Sequence, residues 1–266
     1  MQCLRSVRGL ALGLVAVGAV GAFGCGGETD DIEGVQSAIT AENALTANAL
    51  TANALTANAL TANALTANAL TANALTANAL TANALRDPLS RELLKYIVSC
   101  ALDEDDEVSF KIDGKKYEFP GSLGLAPDWG KKIGSCDGEC QRWVSACVLA
   151  RVDHAGVKRM ISIRGENKAL RPDDKELRRY TDREATYYGN LFVKNQPRYL
   201  CLSPGKTSDE RVCGDSLDDC PMTVVGSCDD ACADEGRYDA FEDCSDKGRA
   251  RRGTTYHESI TVFLPK

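Results

Sequence analysis

The sequence contains few of the residues, and none of the motifs, that mark the common enzyme sites. Histidine occurs only twice, at His154 and His257, and aromatic residues make up 6% of the chain. The patterns G-x-S-x-G, H-E-x-x-H and C-x-x-C are all absent. These absences remove the sequence signatures of serine hydrolases, zinc metalloproteases, zinc ribbons and thioredoxin-like redox pairs. The motifs therefore predict no catalytic residue, no metal ligand and no cofactor.

The chain has no excess of positive charge. The formal net charge is −7. Two of the 31 basic and five of the 38 acidic residues precede position 86, which leaves 29 basic and 33 acidic residues in the remainder. A weakly acidic region without a basic stripe argues against a nucleic-acid partner.

The long TANAL repeat carries no charge. The word TANAL occurs eight times over residues 46–85, and AENAL at 41–45 makes a ninth word. In a helix, five residues rotate by about 140°, so the leucines would form no apolar stripe. In a flat strand, successive leucines would point to opposite faces. The repeat resembles the pentapeptide-repeat family, and that resemblance implies a short square β-solenoid. The alternative is a disordered neutral tether.

The N-terminus has the pattern of an export signal. Arg5 and Arg8 precede an apolar run over residues 10–23, which is short for a spanning helix. The stretch AFGC at 22–25 resembles the lipobox of bacterial lipoproteins. That resemblance implies a lipid-modified Cys25 as the first residue of the mature protein and as its membrane anchor. Gly26 after the cysteine implies sorting to the outer membrane.

The cysteine count fits an exported protein. Of the twelve cysteines, Cys3 lies in the signal and Cys25 is the expected lipid anchor. An even number remains, which favours a disulfide framework over a metal site. The disulfide candidates are Cys100, Cys136, Cys140, Cys147, Cys201, Cys213, Cys220, Cys228, Cys232 and Cys244.

After the repeat, helical and strand patterns alternate. SRELLKYIVSCAL at 90–102 predicts a helix capped by Ser90, with its apolar face ending near Cys100. VSFKIDGKKYEF at 108–119 predicts a β-hairpin turning at Asp113-Gly114. The template G-S-C-D-x-x-C occurs at 134–140 and again at 226–232.

In that template, Asp137 and Asp229 are the expected helix N-caps. After the first copy, Cys140, Trp143 and Cys147 share one helix face, which predicts a core helix joined to its surroundings by disulfides.

The second half of the region reads as one more helix and several strands. Residues 173–192 predict a helix capped by Asp173 or Asp174, with charged residues on a solvated face and its tyrosines packed inside. The strands expected here are VKRMISIRG, RYLCLS, MTVVGSC and SITVFLP. We expect an α+β domain stapled by disulfides.

Three motifs, at 123–129, 140–147 and 184–192, are similar to cysteine-rich exported domains of Gram-negative soil bacteria. That likeness implies no activity. The expected organisation is a signal peptide at 1–24, an acidic linker at 25–40, the repeat spacer at 41–85 and the cysteine-rich domain at 86–266.

Three functions are compatible with these features. The first is an exported lipoprotein, anchored in the outer membrane or at the cell surface, whose domain is displayed on the repeat to bind a protein or a glycan. The second is a calcium-binding module, based on the acidic residues at 103–107 and 214–220, although neither has the EF-hand spacing. The third is an enzyme in which a carboxylate orients His257 as a base. Alternatively, His257 has no catalytic role and ends a loop before an edge strand.

Overall fold

A mixed sheet of six strands forms the centre of the described chain. The structure is a computed structural model, and it describes residues 38–39, 45–46, 84–131, 134–248 and 250–266. All of them lie in one folded unit, Gly34–Lys266. The strand order is β1-β6-β14-β7-β8-β9, and every neighbouring pair is antiparallel except β8 and β9. The strands are β1 (Ala38–Ile39), β6 (Ile161–Arg164), β7 (Tyr180–Gly189), β8 (Arg198–Leu202), β9 (Thr223–Ser227) and β14 (Ile260–Pro265).

Two long helices contribute to the same core as the sheet. Helix α1 spans Pro88–Ala101 and α2 spans Gly138–Ala150, and a disulfide joins Cys100 to Cys147 between them. Both helices were expected, as was the disulfide attachment of α2. The cap of α1 differs from the prediction. The Asp87 carboxylate accepts hydrogen bonds from the backbone N–H groups of Leu89 and Ser90, so the prediction of Ser90 as the cap is wrong.

The predicted hairpin is confirmed. Strands β3 (Glu107–Ile112) and β4 (Lys115–Pro120) pair antiparallel around Asp113 and Gly114. Both turn residues have positive φ, at 50° and 82°. A two-residue turn of this kind matches the twist of the strands, which is why Asp-Gly is a strong hairpin signal.

The predicted helix over 173–192 is largely wrong. A short helix, α3, spans Asp174–Arg179 and is capped by Asp173 as expected. The chain then becomes strand β7, which pairs with β14 on one side and β8 on the other. Threonine and tyrosine suit a pleated, buried surface, and the second half of β7 is buried on both faces. The charged first part of the segment has helical spacing, so the pattern did not reveal the change from helix to strand at Tyr180.

The strand before the repeat and both ends of the repeat itself join the folded unit. Strand β1 pairs with β6 at the sheet edge, and β2 (Leu45–Thr46) pairs in parallel with β5 (Val152–Asp153). Leu45 and Leu85 are fully buried in one hydrophobic core with α1 and α2. The signal peptide, Cys25 and residues 47–83 of the predicted solenoid lie outside the described residues.

Short elements complete the C-terminal part. The helices are α4 (Glu210–Cys213) and α5 (Cys228–Ala231). The strand pairs are β10 (Asp234–Glu235) with β11 (Phe241–Glu242) and β12 (Cys244–Ser245) with β13 (Thr255–Tyr256). Single turns of 3-10 helix occur at Pro127–Gly130, Lys168–Leu170, Leu217–Asp219 and Arg237–Asp239. The mixed α/β, disulfide-stapled fold class is confirmed for the described residues.

Candidate binding pocket

All ten candidate cysteines are paired, which confirms the disulfide framework. The two copies of the G-S-C-D-x-x-C template pair differently. In the first copy the bond is local, whereas each cysteine of the second copy reaches another element. Asp137 caps α2 as expected, but Ser227 caps α5, so the prediction for Asp229 is wrong. The disulfides are Cys100–Cys147, Cys136–Cys140, Cys201–Cys228, Cys213–Cys220 and Cys232–Cys244.

The second template copy anchors a hairpin. Cys232, which follows α5, is bonded to Cys244 in β12, and β12 pairs with β13. Beneath this hairpin the rings of Tyr188, Tyr199 and Tyr256 lie 5.6–5.7 Å apart between centroids. The hydroxyl of Tyr188 donates a 2.9 Å hydrogen bond to the Ser245 carbonyl. Disulfide, aromatic packing and hydrogen bond together fix the base of the hairpin.

A cavity of about 540 Å³ lies at this hairpin. Arg251 and Arg252 are exposed, and neither forms an ion pair with a residue that the structure describes. They belong to the segment KGRARR at 247–252, four basic residues in six. The charge summed over residues 86–266 concealed this local basic segment. A charge count in a short window along the sequence would have found it. The lining residues are Ala233, Asp243, Ser245, Ala250, Arg251, Arg252, Gly253 and Thr255.

His257 lies next to one carboxylate of the cavity. Its Nδ1 is 2.5 Å from Oδ1 of Asp243, and the imidazole is 72% exposed. The neighbouring Glu258 is buried and pairs instead with Arg142, at 2.5 Å from Nε to Oε2. The expectation that His257 precedes an edge strand is wrong, because β14 lies between β6 and β7 in the middle of the sheet.

A buried polar cluster lies apart from the residues that line the cavity. The guanidinium of Arg211 donates to Glu184 at 2.7 Å and to the carbonyl of Ala150 at 2.9 Å. Tyr187 donates to Asp209 and accepts from Arg211 at 2.9 Å. Glu184 lies in the segment whose charges were expected on a solvated face, and that expectation is wrong for Glu184.

The pKa values in this cluster follow from burial and from charge. Burial raises the pKa of Glu184, and the Arg211 charge opposes that shift. Burial would lower the pKa of Arg211, but the negative groups around it raise the pKa above its ordinary value. Burial also raises the pKa of Tyr187 well above its ordinary value. Because its polar groups bond one another, we assign this cluster to stability rather than to ligand binding.

Two carboxyl groups share a hydrogen bond beside the β10–β11 pair. Glu242 in β11 bonds Glu166, and Glu166 also accepts from the backbone N–H of Arg237 at 3.1 Å. Burial, the Glu166 hydrogen bond and the Glu166 charge raise the pKa of Glu242 to about 7. The adjacent Tyr238 and Asp239 have positive φ. Glu242 is therefore a protonatable carboxyl group near neutral pH.

Within the described ranges, the acidic segments at 103–107 and 214–220 contain no group of three carboxylates whose oxygens lie within 4.8 Å of one another. Across those ranges, one group of three His, Cys, Asp or Glu residues places its ligand atoms within 4.8 Å of each other, and it consists of Cys201, Cys228 and Cys232. All three are disulfide-bonded. No observation on the acidic segments favours calcium.

Comparisons with protein-family models, with curated proteins and with solved structures found no match. In the part of the chain that the structure describes, no helix is both long enough and apolar enough to cross a membrane.

Proposed function

We propose that this protein is an exported lipoprotein, anchored through Cys25, whose disulfide-rich domain binds a glycan that carries an anionic group. The observation that carries this proposal is the arginine-lined cavity on a hairpin held in place by a disulfide. The proposal has three parts: export, anchoring and ligand binding.

The disulfide framework supports export. Five disulfides use every cysteine after Cys25, and disulfides persist in oxidising compartments rather than in the cytosol. Alkylation of the unreduced protein followed by intact mass measurement tests this part. We expect no alkyl adduct on the ten cysteines. One or more adducts would show a free thiol and remove the argument.

The lipobox resemblance supports the anchor and a location at the outer membrane or cell surface. Replacing Cys25 with serine should remove the lipid mass and release the protein from the membrane fraction. If C25S stays membrane-bound, the anchor assignment is wrong. The repeat remains proposed as a short solenoid, with the disordered tether as its alternative. Since β1 and Leu45 already pack on the domain, we propose that the 25–37 segment sets the distance from the membrane.

The chemistry of the cavity supports an anionic ligand. A guanidinium presents planar paired donors that match a phosphate or sulfate group, and charged hydrogen bonds are stronger than neutral ones. Arg251 and Arg252 are exposed at the cavity and form no ion pair with described residues. Ser245 and Thr255 add hydroxyl groups to the lining, which suits a sugar. The volume lies within the range of small-molecule sites, about 300–1,000 Å³.

Calorimetric titration tests this part. The probes are N-acetylglucosamine 6-phosphate, N-acetylglucosamine and inorganic phosphate. We expect binding of the phosphosugar and none of the neutral sugar, whereas equal binding of inorganic phosphate would mean that the anion alone is recognised. R251E/R252E should weaken binding at least about tenfold, because each charged hydrogen bond contributes about 1.5–3 kcal/mol.

The matched control is K175E/R178E. It makes the same change in charge on α3, away from the residues that line the cavity. Its affinity should stay within about twofold at physiological salt, where distant charges are screened. Equal losses in both double variants would mean that net charge, and not the cavity, attracts the anion.

A second candidate function is supported by the His257–Asp243 pair. The carboxylate binds Nδ1, so Nε2 points away from it and could accept a proton, as in a general base. Asp243 also lines the cavity. In a screen of hydrolase substrates, activity that the H257A variant lacks would favour this function over binding alone.

A further inference from the structure

Two disulfides meet in one buried cluster. Cys201–Cys228 joins β8 to α5, and Cys232–Cys244 joins the end of α5 to β12. The Sγ atoms of Cys201 and Cys232 belong to different disulfides, yet they lie 3.5 Å apart. The Sγ of Cys228 lies within 4.8 Å of both. Such close sulfur atoms allow a second pairing of the same cysteines.

We propose that this four-cysteine cluster is a thiol–disulfide exchange site that accepts electrons from an external dithiol. The dithiol first reduces Cys232–Cys244 and becomes a disulfide itself, leaving thiols at Cys232 and Cys244. The Cys232 thiolate then attacks Sγ of Cys201. The bond between Cys201 and Cys232 forms, the bond between Cys201 and Cys228 breaks, and the Cys228 thiolate takes a proton.

The two steps together transfer two electrons and two protons from the dithiol to the cluster. The dithiol supplies both electrons, one disulfide remains in the cluster, and the thiols end at Cys228 and Cys244. The second step is the ordinary exchange reaction, in which a thiolate displaces a thiolate from a disulfide sulfur. Displacement also requires attack along the axis of the disulfide. The 3.5 Å separation places the attacking sulfur beside the attacked one, and the Cys232 side chain, once released from Cys244, must turn toward the side of Cys201 opposite Cys228, because the three Sγ atoms are not in line before reduction.

The surroundings indicate which disulfide reacts with the dithiol. Ala233 follows Cys232, while Asp243 and Ser245 flank Cys244, and all three line the cavity. All four cysteines are buried, and Cys201 and Cys228 have no chain neighbour among the lining residues. The cavity therefore brings a dithiol closest to Cys232–Cys244.

The exchange would have a structural consequence. Cys232–Cys244 joins the hairpin of β12 and β13 to α5, and exchange removes that link. The new Cys201–Cys232 disulfide keeps β8 attached to α5. The site would therefore remove one of the restraints on the hairpin that carries Arg251 and Arg252, while its aromatic packing and the Tyr188 hydrogen bond remain and α5 stays attached to the sheet.

A cysteine variant tests the second step alone. In C244S, Cys232 is a free thiol 3.5 Å from Sγ of Cys201. The folded variant is held at pH 8, quenched with acid, alkylated, and its disulfides are mapped by mass spectrometry. We expect a Cys201–Cys232 disulfide with an alkylated Cys228 in part of the sample, and a fraction that forms faster at higher pH because the thiolate is the nucleophile. Alkylation at Cys232 alone would overturn the proposal.

The matched control is C220S, which leaves Cys213 as a free thiol. No sulfur of another disulfide is recorded within bonding reach of Cys213 among the described residues. We expect alkylation at Cys213 and unchanged disulfides elsewhere. New pairings involving Cys213 would show general scrambling, and the result with C244S would then not support a specific site.

The wild-type protein provides a second measurement that does not depend on the folding of C244S. Dithiothreitol is added in limiting amount, and the products with two alkylated cysteines are mapped. We expect the pair Cys228 and Cys244 among them. Products alkylated only at Cys232 and Cys244 would show reduction without exchange. Products alkylated first at other disulfides would contradict access through the cavity.

Discussion

At the scale of single residues, the buried side chain of Arg211 connects several elements of the fold. Its guanidinium reaches Glu184 and Tyr187 of β7 and the backbone carbonyls of Ala150 and Val152. It thereby joins α4 to the sheet and to the end of α2. Arg211 lies between two strand patterns in a segment without periodicity, so its sequence position gives no sign of burial. Long-range partners decide its role.

Replacing Arg211 with methionine should destabilise the domain by about 3–5 kcal/mol, because it leaves Glu184 buried without its partner. The measurement is the free energy of unfolding in urea. The double variant E184M/R211M should recover part of the loss, since it removes both charges. As a control, K206M breaks the more exposed pair with Asp182 and should cost less than about 1 kcal/mol. Equal costs would contradict the assigned role of burial.

The Glu166–Glu242 pair predicts a pH dependence of stability. Glu242 has its pKa raised from 4.5 to about 7. The folded chain holds this proton at pH values where the unfolded chain has released it, so stability should fall as the pH rises from 4.5 to 7. Burial of Glu184 and Glu176 acts in the same direction, whereas the pKa of Glu166 is lowered, chiefly by the hydrogen bond from the Arg237 N–H, and acts in the opposite direction below pH 4.5. E242Q should reduce the slope of the unfolding free energy against pH in this window.

The control for that series is E104Q, which removes an exposed carboxylate in the acidic segment. Urea unfolding at four pH values between 4.5 and 7.5 compares both variants with the wild type. We expect the E104Q slope to match the wild type. An unchanged slope in E242Q would mean that the shared proton of the carboxyl pair does not affect folding.

At the scale of elements, short sequence motifs correctly predicted the hairpin, one helix cap and the first helix, because each of these depends on neighbouring residues. Asp113-Gly114 defines the hairpin, Asp137 caps α2, and the apolar spacing of α1 is sufficient for a helix. The end of α3 at Arg179 was missed because Tyr180 starts a central strand that long-range pairing holds. The disulfide partners and the cavity also depend on long-range folding. The His257–carboxylate hypothesis named the histidine, but not Asp243.

A buried hydroxyl pair joins three strands. Thr261 in β14 lies 2.8 Å from the Thr186 hydroxyl in β7 and accepts from the backbone N–H of Phe241 in β11 at 2.9 Å. Replacing Thr261 with valine should cost about 1–3 kcal/mol, because two buried polar groups lose their partner while the volume barely changes. Thermal and urea unfolding measure the loss.

The control is T223V, which changes an exposed threonine in β9 and should stay within about 0.5 kcal/mol of the wild type. If T261V is as stable as T223V, the hydroxyl pair does not hold the strands together.

At the scale of the whole molecule, the repeat connects two points on one core. Leu45 and Leu85 are both fully buried with residues of α1 and α2, and β2 pairs with β5. Both ends of the repeat region therefore belong to the same folded unit. The sequence could not show this, because the repeat words are alike and the contacts that bury Leu45 and Leu85 are long-range. An in-line spacer would not require either end to be buried on the same unit.

This arrangement predicts that two leucines of the repeat region stabilise the domain. L45A and L85A should each lower the free energy of unfolding by about 2–5 kcal/mol, the usual cost of truncating a buried leucine. The control is L217A, at a leucine that is 37% exposed, which should cost far less. Urea unfolding of the unlipidated protein measures all three. If L45A and L85A unfold like the wild type, the repeat is an in-line spacer and its ends do not belong to the core.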